Sequence, residues 1–230
     1  MKLALIVALL GFSTTARDAG GDAAEDVKAA VAKVADAANY TWTRDLKGSR
    51  SSWTVEGKAD KDGLVWLLVN DRGQREGLWK GETWAVKTEG GWKGPADAMP
   101  GGGVKDPGNM IMGLKNIGVA TSEALQLLGG TKELKSEGNG TYSGDLTDDL
   151  IKDLWVPGSS KATNLRLEKL KGSVKFWLKG ETLSKYEFKI SGTSVYKNGE
   201  APFDRTITTT FKDVGSTKIQ IPAEAKAKMN

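Results

Sequence analysis

The stretch from Gly172 to Pro222 constrains this chain most, because alternation sustained over so long a run has one regular solution, an antiparallel meander. Val174, Phe176 and Leu178 alternate with Lys175, Trp177 and Lys179, and Gly180-Glu181 turns the chain. The next strand is expected over about 182–195, with Tyr186, Phe188 and Ile190 alternating with Glu187, Lys189 and Ser191. Fourteen residues at ~3.3 Å each span roughly 46 Å, well beyond an ordinary strand. So long a strand has to bend, and Gly192 is where it bends most easily. Asn198-Gly199 lies in the following turn. Phe203 to Val214 then return with Ile207, Thr209 and Phe211 on one side, and Ile219 and Ile221 are expected to end the sheet as a fourth strand before Pro222.

A second alternating region runs from Tyr40 to Trp92. Turn pairs recur at Lys47-Gly48, Asp62-Gly63, Arg72-Gly73, Lys80-Gly81 and Gly90-Gly91, so five strands follow. Trp42, Trp53, Trp66, Trp79, Trp84 and Trp92 all fall in this meander. Within one strand Leu64, Trp66 and Leu68 share a face while Val65, Leu67 and Val69 share the other. Apolar on both sides, that strand is central or covered twice.

Between and before the meanders the period is helical. Val27, Ala30, Val31, Val34 and Ala38 recur at helical spacing over Asp22 to Ala38, with Asp22 as N-cap, and the small Ala/Val stripe allows close approach to a sheet. Gly94 to Lys105, rich in glycine and proline, reads as a mobile flap or, with more weight, a solvated connector. Asp106 caps a helix with Pro107 in first position and Met110, Ile111, Met112 and Leu114 as its apolar bulk. Thr121 is expected to cap another helix, which stops at Gly129-Gly130. Lys132 to Thr147 form a hairpin turning at Asn139-Gly140, and Thr147 caps the helix carrying Leu150, Ile151, Leu154 and Trp155. The mixed period over 157–171 fits loop, strand or helical turn equally.

The first residues carry the pattern of an export signal: Lys2, the apolar run Leu3 to Phe12, then small residues up to Ala16 before Arg17. An apolar run of about ten residues is short of the roughly 20 needed to cross a bilayer. Residues 1–16 are therefore read as a signal peptide, cut after Ala16 or nearer Ala19, residues 17–21 as a linker and 22–230 as one domain. The chain has no cysteine and no histidine. That excludes a lipid-modified cysteine, disulfides, thiolate chemistry and serine–histidine hydrolysis, and it removes the commonest zinc ligand. Losing Lys2 leaves 32 basic side chains against 29 acidic ones, interspersed, so no basic patch for nucleic acid is visible.

Together these elements define an α+β domain in which a large antiparallel sheet of about ten strands curls into an unclosed half-barrel with helices packed on its concave face. The order of parts, the segment "DPGNMIMGLKNI" followed by "LLGGTKELKSEGNGTYSGDL", and the closing "FKDVGSTKIQIPAEAK" resemble the bacterial LolA-like and LppX/LprG-like lipoprotein carriers over nearly all of residues 22–230. That resemblance implies a half-barrel wrapped on helices, with acyl chains held between them. The chain departs from it in lacking the cysteine that anchors the LppX and LprG members. LolA proteins hold their closed cavity with an arginine, for which Arg44, Arg50, Arg72 and Arg75 are loosely placed candidates.

The functional expectation is an exported, periplasmic or secreted, monomeric binding protein that shields a lipid or lipoprotein acyl chain without cofactor, metal or chemistry. The alternative is a non-enzymatic structural or interaction module of the cell envelope whose core is fully packed. If the inner face carries Trp66, Val174, Phe176, Leu178, Tyr186, Phe188 and Ile190, the cavity is built from those residues with Met110, Met112, Leu125 and Leu154 from the helices. For any single tryptophan, plain core has more weight than cavity wall. Asp145, Asp148 and Asp149 match no calcium loop or glycosidase pair, and Asp148 and Asp149 are explained by the helix dipole. "GGDAAED" and "PGGGVK" lack the lysine and Ser/Thr of a phosphate loop.

Overall fold

The computed structural model describes residues 23–49, 51–71, 73–155 and 165–229. The signal peptide, the linker, the Asp22 cap, Arg50, Arg72 and residues 156–164 lie outside them. The fold is α+β: a curled, open antiparallel sheet of 11 strands in the order β6-β5-β4-β3-β2-β1-β11-β10-β9-β8-β7. The first meander comprises β1 (Asn39–Gly48), β2 (Ser52–Asp60), β3 (Leu64–Asn70), β4 (Gln74–Lys80), β5 (Thr83–Thr88) and β6 (Gly91–Lys93). A hairpin, β7 (Lys135–Gly138) and β8 (Thr141–Asp145), leads to the long strands β9 (Arg166–Lys179), β10 (Thr182–Tyr196) and β11 (Gly199–Lys212). β11 pairs with β1, which joins the two meanders into one sheet. β9 occupies much of the stretch that sequence left unassigned.

The long strands bend through irregular pairing. Ser191 pairs with Lys171 but Thr193 with Glu168, so β9 carries an extra residue opposite Gly192, and Lys169 there has φ +53°. A bulge of this kind bends and twists its strand. Gly192 is needed for space: a Cβ on it would lie 2.8 Å from the Phe203 ring and 2.9 Å from Leu170.

Four helices cover the inner face: α1 (Ala23–Ala35), α2 (Pro107–Lys115), α3 (Ala120–Gly129) and α4 (Asp148–Trp155). α1 buries its Ala/Val stripe, Val27, Ala30, Val31 and Val34, against β10 and α3. α2 begins where the sequence predicts, with the Asp106 carboxylate accepting from Gly108 N at 2.9 Å and Asn109 N at 3.4 Å, and Thr147 accepts from Leu150 N at 3.3 Å to cap α4. α3 does not start at Thr121. Its N-cap is Val119, and Thr121 is buried inside the first turn, its hydroxyl 3.0 Å from Tyr40 Oη. The cap position thus went to a tertiary hydrogen bond.

The fifth helix, α5 (Ala223–Lys228), lies on the outer face. It closes a second apolar cluster of Leu64, Leu78, Ala85, Trp92, Ala225 and Met229, joined by Trp66, Ile219 and Ile221. Ile219 and Ile221 therefore form no fourth strand of the final meander; they are an apolar strap outside the sheet. β3 is covered on both faces, as its two-sided apolar pattern requires: Val65, Leu67 and Val69 enter the main core, Leu64 and Trp66 the outer cluster.

Candidate functional site

The inner face follows from strand parity. Phe176, Tyr186, Thr209, Arg44, Val55 and Val69 stand side by side across β9, β10, β11, β1, β2 and β3. At the end covered by α1 and α3 this face is filled. Trp42, Phe176 and Tyr186 are fully buried, Tyr40 lies 5.6 Å from Trp42 between ring centroids, and Phe211 lies 6.1 Å from Tyr186. Trp42 fits because Gly57 faces it; a Cβ on Gly57 would fall 2.1 Å from the indole.

Among the described residues Arg44 is the one charge carried by the sheet into this core. Its side chain is 3 % exposed, and its Nη2 meets the Glu123 carboxylate of α3 at 2.8 Å. Nη1 donates to the Ile117 carbonyl at 2.9 Å and Nε to Thr209 Oγ1 at 3.4 Å. The Tyr186 hydroxyl accepts from Arg44 at 3.5 Å and donates to Glu123 at 2.5 Å. Burial alone disfavours the guanidinium cation, but Glu123 and Tyr186 outweigh it and hold Arg44 above its usual pKa. Burial and then the Glu123 charge push the Tyr186 phenol far above its ordinary value. The pair ties β1 to the α2–α3 connection and to α3 at once.

Toward the other end of the same strands the helices leave a gap. A half-open cleft of about 400 Å³ lies between β1, β2, β10 and β11 on one side and the ends of α2, α3 and α4 on the other. Leu46, Trp53, Phe188 and Ile207 form its sheet wall, and Ile117, Val119 and Leu154 form its helix wall. Arg44 and Glu123 close its inner end, and Gln126, Asn116, Asp153 and Arg205 provide further polar lining. This volume falls within the ~300–1,000 Å³ range of small-ligand sites.

The structure sorts the eleven candidate side chains. Phe188 and Leu154 line the cleft. Val174, Phe176, Tyr186 and Ile190 are buried on the inner face but packed into the main core, with Met110 and Leu178 partly buried against it. Trp66 is on the outer face, where it donates to Glu76 at 3.0 Å and stacks under Lys58 at 4.9 Å; its expected place among the inner residues is corrected by the register of β3. Met112 and Leu125, 54 % and 45 % exposed, point away from the space between sheet and helices. Sequence reading missed Leu46, Trp53, Ile207 and Arg205 as a group. Their signal is parity: Ile207 and Arg205 continue the inner row of Thr209 and Phe211, and Leu46 pairs with Trp53.

A larger hollow of about 860 Å³ lies outside, across β7 to β10, lined by lysines and carboxylates including Lys175, Lys185, Lys189, Glu137 and Glu187. Apart from Val174 and Trp177, the latter stacked under Lys175 and Lys185, its lining side chains are polar, so it is a solvated groove rather than a site for apolar matter. Among the described residues no three Asp or Glu side chains are grouped to hold a metal ion, and Asp149 pairs with Lys152 at 3.0 Å. No helix among them is long and apolar enough to cross a membrane.

The fold and cleft define a class by architecture, an open antiparallel half-barrel wrapped on helices around an apolar recess. No protein-family model matches the sequence, and no curated protein matches it. Among solved structures, LprF from Mycobacterium bovis is similar at 12 % identity and a TM-score of 0.48, with 90 % of this chain and 100 % of that one covered. The structure of EF1p2_mFAP2b bound to DFHBI aligns over 79 % of this chain and 97 % of that one, at 9 % identity and a TM-score of 0.21.

Proposed function

We propose that the protein is an exported, non-enzymatic carrier that holds an apolar chain, an acyl group of a lipid or lipoprotein, in the cleft between sheet and helices. The observation that carries this reading is the space that the described residues leave beside Phe188, Ile207, Leu46, Trp53 and Leu154 in a sheet whose other half is packed solid. Apolar walls left open to solvent cost free energy in proportion to their area, so they are retained where something else covers them. The Arg44 contact with the Ile117 carbonyl fixes the α2–α3 connection over the inner end of the recess. On this reading Arg44, one of the four candidate arginines, is the one that holds this end of the recess closed.

Native mass spectrometry of the protein purified without detergent tests the reading. Acyl-containing adducts are expected, and Ile207→Trp, which fills the recess, is expected to remove them. A protein that is always empty and fails to take up a C12 alcohol is instead the packed structural module of the envelope, a reading favoured by the solid core around Tyr186.

A further inference from the structure

Arg205 stands at the mouth of the cleft on the inner row of β11, beside Ile190 on β10 and Gly48 on β1. Gly48 has no side chain to cover it. The guanidinium is half-buried, and its carbon lies 4.6 Å from the centroid of Trp155, which in turn stacks on Phe203 at 4.0 Å and 16°. Stacking engages the flat face of an arginine and leaves its edge, with five N–H donors, free. Among the described residues none of those donors has an acceptor and no carboxylate lies within ion-pair distance. Burial alone acts on the group, and it lowers the pKa. Glu123 is occupied by Arg44 and Tyr186, and Asp153 is an exposed rim residue. The nine residues 156–164 that follow Trp155 contain no acidic side chain. A half-buried cation without a partner is costly. A small pocket of about 50 Å³ on the same side is lined by Arg205, Trp155, Phe203 and Ser194, and by Asp204, which is exposed and makes no ion pair with Arg205. Among the described residues Ser194 Oγ is buried with no hydrogen-bond partner, so a second unsatisfied polar group belongs to the lining of this pocket.

We infer that Arg205 receives an anionic head group, a carboxylate or phosphate, of the amphiphile whose chain occupies the cleft. This rests on the carrier reading and narrows it: neutral chains bind, and anionic ones bind better. The planar fork matches two oxygens of either anion, while the Trp155 ring and the apolar walls take the first methylenes. Free phosphate offers the same oxygens without a chain, so binding of the anion alone has to be separated from binding of the amphiphile.

Tryptophan fluorescence titrations with dodecanoate, dodecyl phosphate, dodecanol and inorganic phosphate, run below micelle-forming concentrations on the full chain, make that separation. The wild-type protein is expected to bind dodecanoate and dodecyl phosphate about tenfold or more tightly than dodecanol, and inorganic phosphate not measurably. Arg205→Gln should erase that advantage while leaving dodecanol affinity within about twofold, and Arg205→Lys should restore part of it. Unchanged dodecanoate binding in Arg205→Gln, or equal loss for dodecanol, overturns the inference while leaving the carrier reading intact. Failure of all three C12 compounds to bind wild type overturns both. Phosphate binding that depends on Arg205, without chain binding, shows a free-anion site and likewise rejects the amphiphile. Circular dichroism of each variant confirms that folded proteins are being compared.

Discussion

Arg44 and Arg205 lie on neighbouring strands of one sheet, point to the same face and are separated along the ladder by four residues, since Arg44 pairs with Thr209 and Gly48 with Arg205. Around Arg44 every polar group is matched, Glu123, Tyr186, Thr209 and the Ile117 carbonyl satisfying the guanidinium, and Trp42, Phe176 and Phe211 fill the core behind it while the cleft begins on its other side. Around Arg205 the last residue of α4 supplies one aromatic face, Trp155, and the apolar residues beside the guanidinium border a cleft. The difference teaches where this fold concentrates its packing and where it leaves space between sheet and helices. Helix α1 packs wholly into the filled half, whereas α2, α3 and α4 each bury residues in the core, among them Ile111, Leu114, Leu127 and Ile151, and present one end to the cleft.

The sharpest break of that contrast is at the filled end. Arg44→Leu or Glu123→Leu alone leaves a buried charge unpaired and is expected to cost about 3–5 kcal/mol, whereas the double variant recovers most of the loss; urea midpoints with unchanged m-values measure both. Trp42→Ala should cost a similar ~3–5 kcal/mol as a large-to-small change in the core. Gly57→Ala, which drives a methyl into the Trp42 ring, should cost about 1–3 kcal/mol. At the open end Leu154→Ala should cost only about 1 kcal/mol, because that side chain is half-buried and its far side already faces the cleft. A loss there as large as that of Trp42→Ala would mean that the two halves do not differ.

A pH experiment sharpens the comparison further, with no expected effect at neutrality. Tyr186 has a folded pKa above the 10.0 of a free tyrosine, because burial and Glu123 disfavour the phenolate. Its contribution is therefore complete below about pH 10 and is lost as pH rises toward the folded value. Thermal melts of wild type should fall more steeply above pH 10 than those of Tyr186→Phe. Equal slopes would show that Tyr186 is not held neutral by the filled core.

Much of the sheet was legible in the residues, because alternation and glycine turns are local signals. The turns at Asp62-Gly63, Lys80-Gly81, Asn139-Gly140 and Gly180-Glu181 all separate strands. The side of a strand was less so. Trp66 and Leu67 are equally apolar, and only the pairing of Leu67 with Gly57, itself opposite Trp42, shows that Leu67 faces inward and Trp66 outward. Ile219 and Ile221 alternate like a strand, yet they pack beneath a six-residue helix too short to announce itself. The site was the least legible part. Glu123 lies 79 positions from Arg44, and no local pattern couples them. The cleft exists because helix ends stop short of a strand face, and periodicity does not record where a helix stops short.

One feature of the sheet bears on how the molecule lives among its own copies. Because the half-barrel never closes, it has two terminal strands, and both are poor templates. β6 is three residues long, and β7 is four, fully exposed, interrupted in register and built from lysine, serine, glutamate and glycine. Few unpaired backbone groups remain there for another strand to continue the ladder, and charge guards those that do. An open sheet thus carries little risk of fibre growth at its seams.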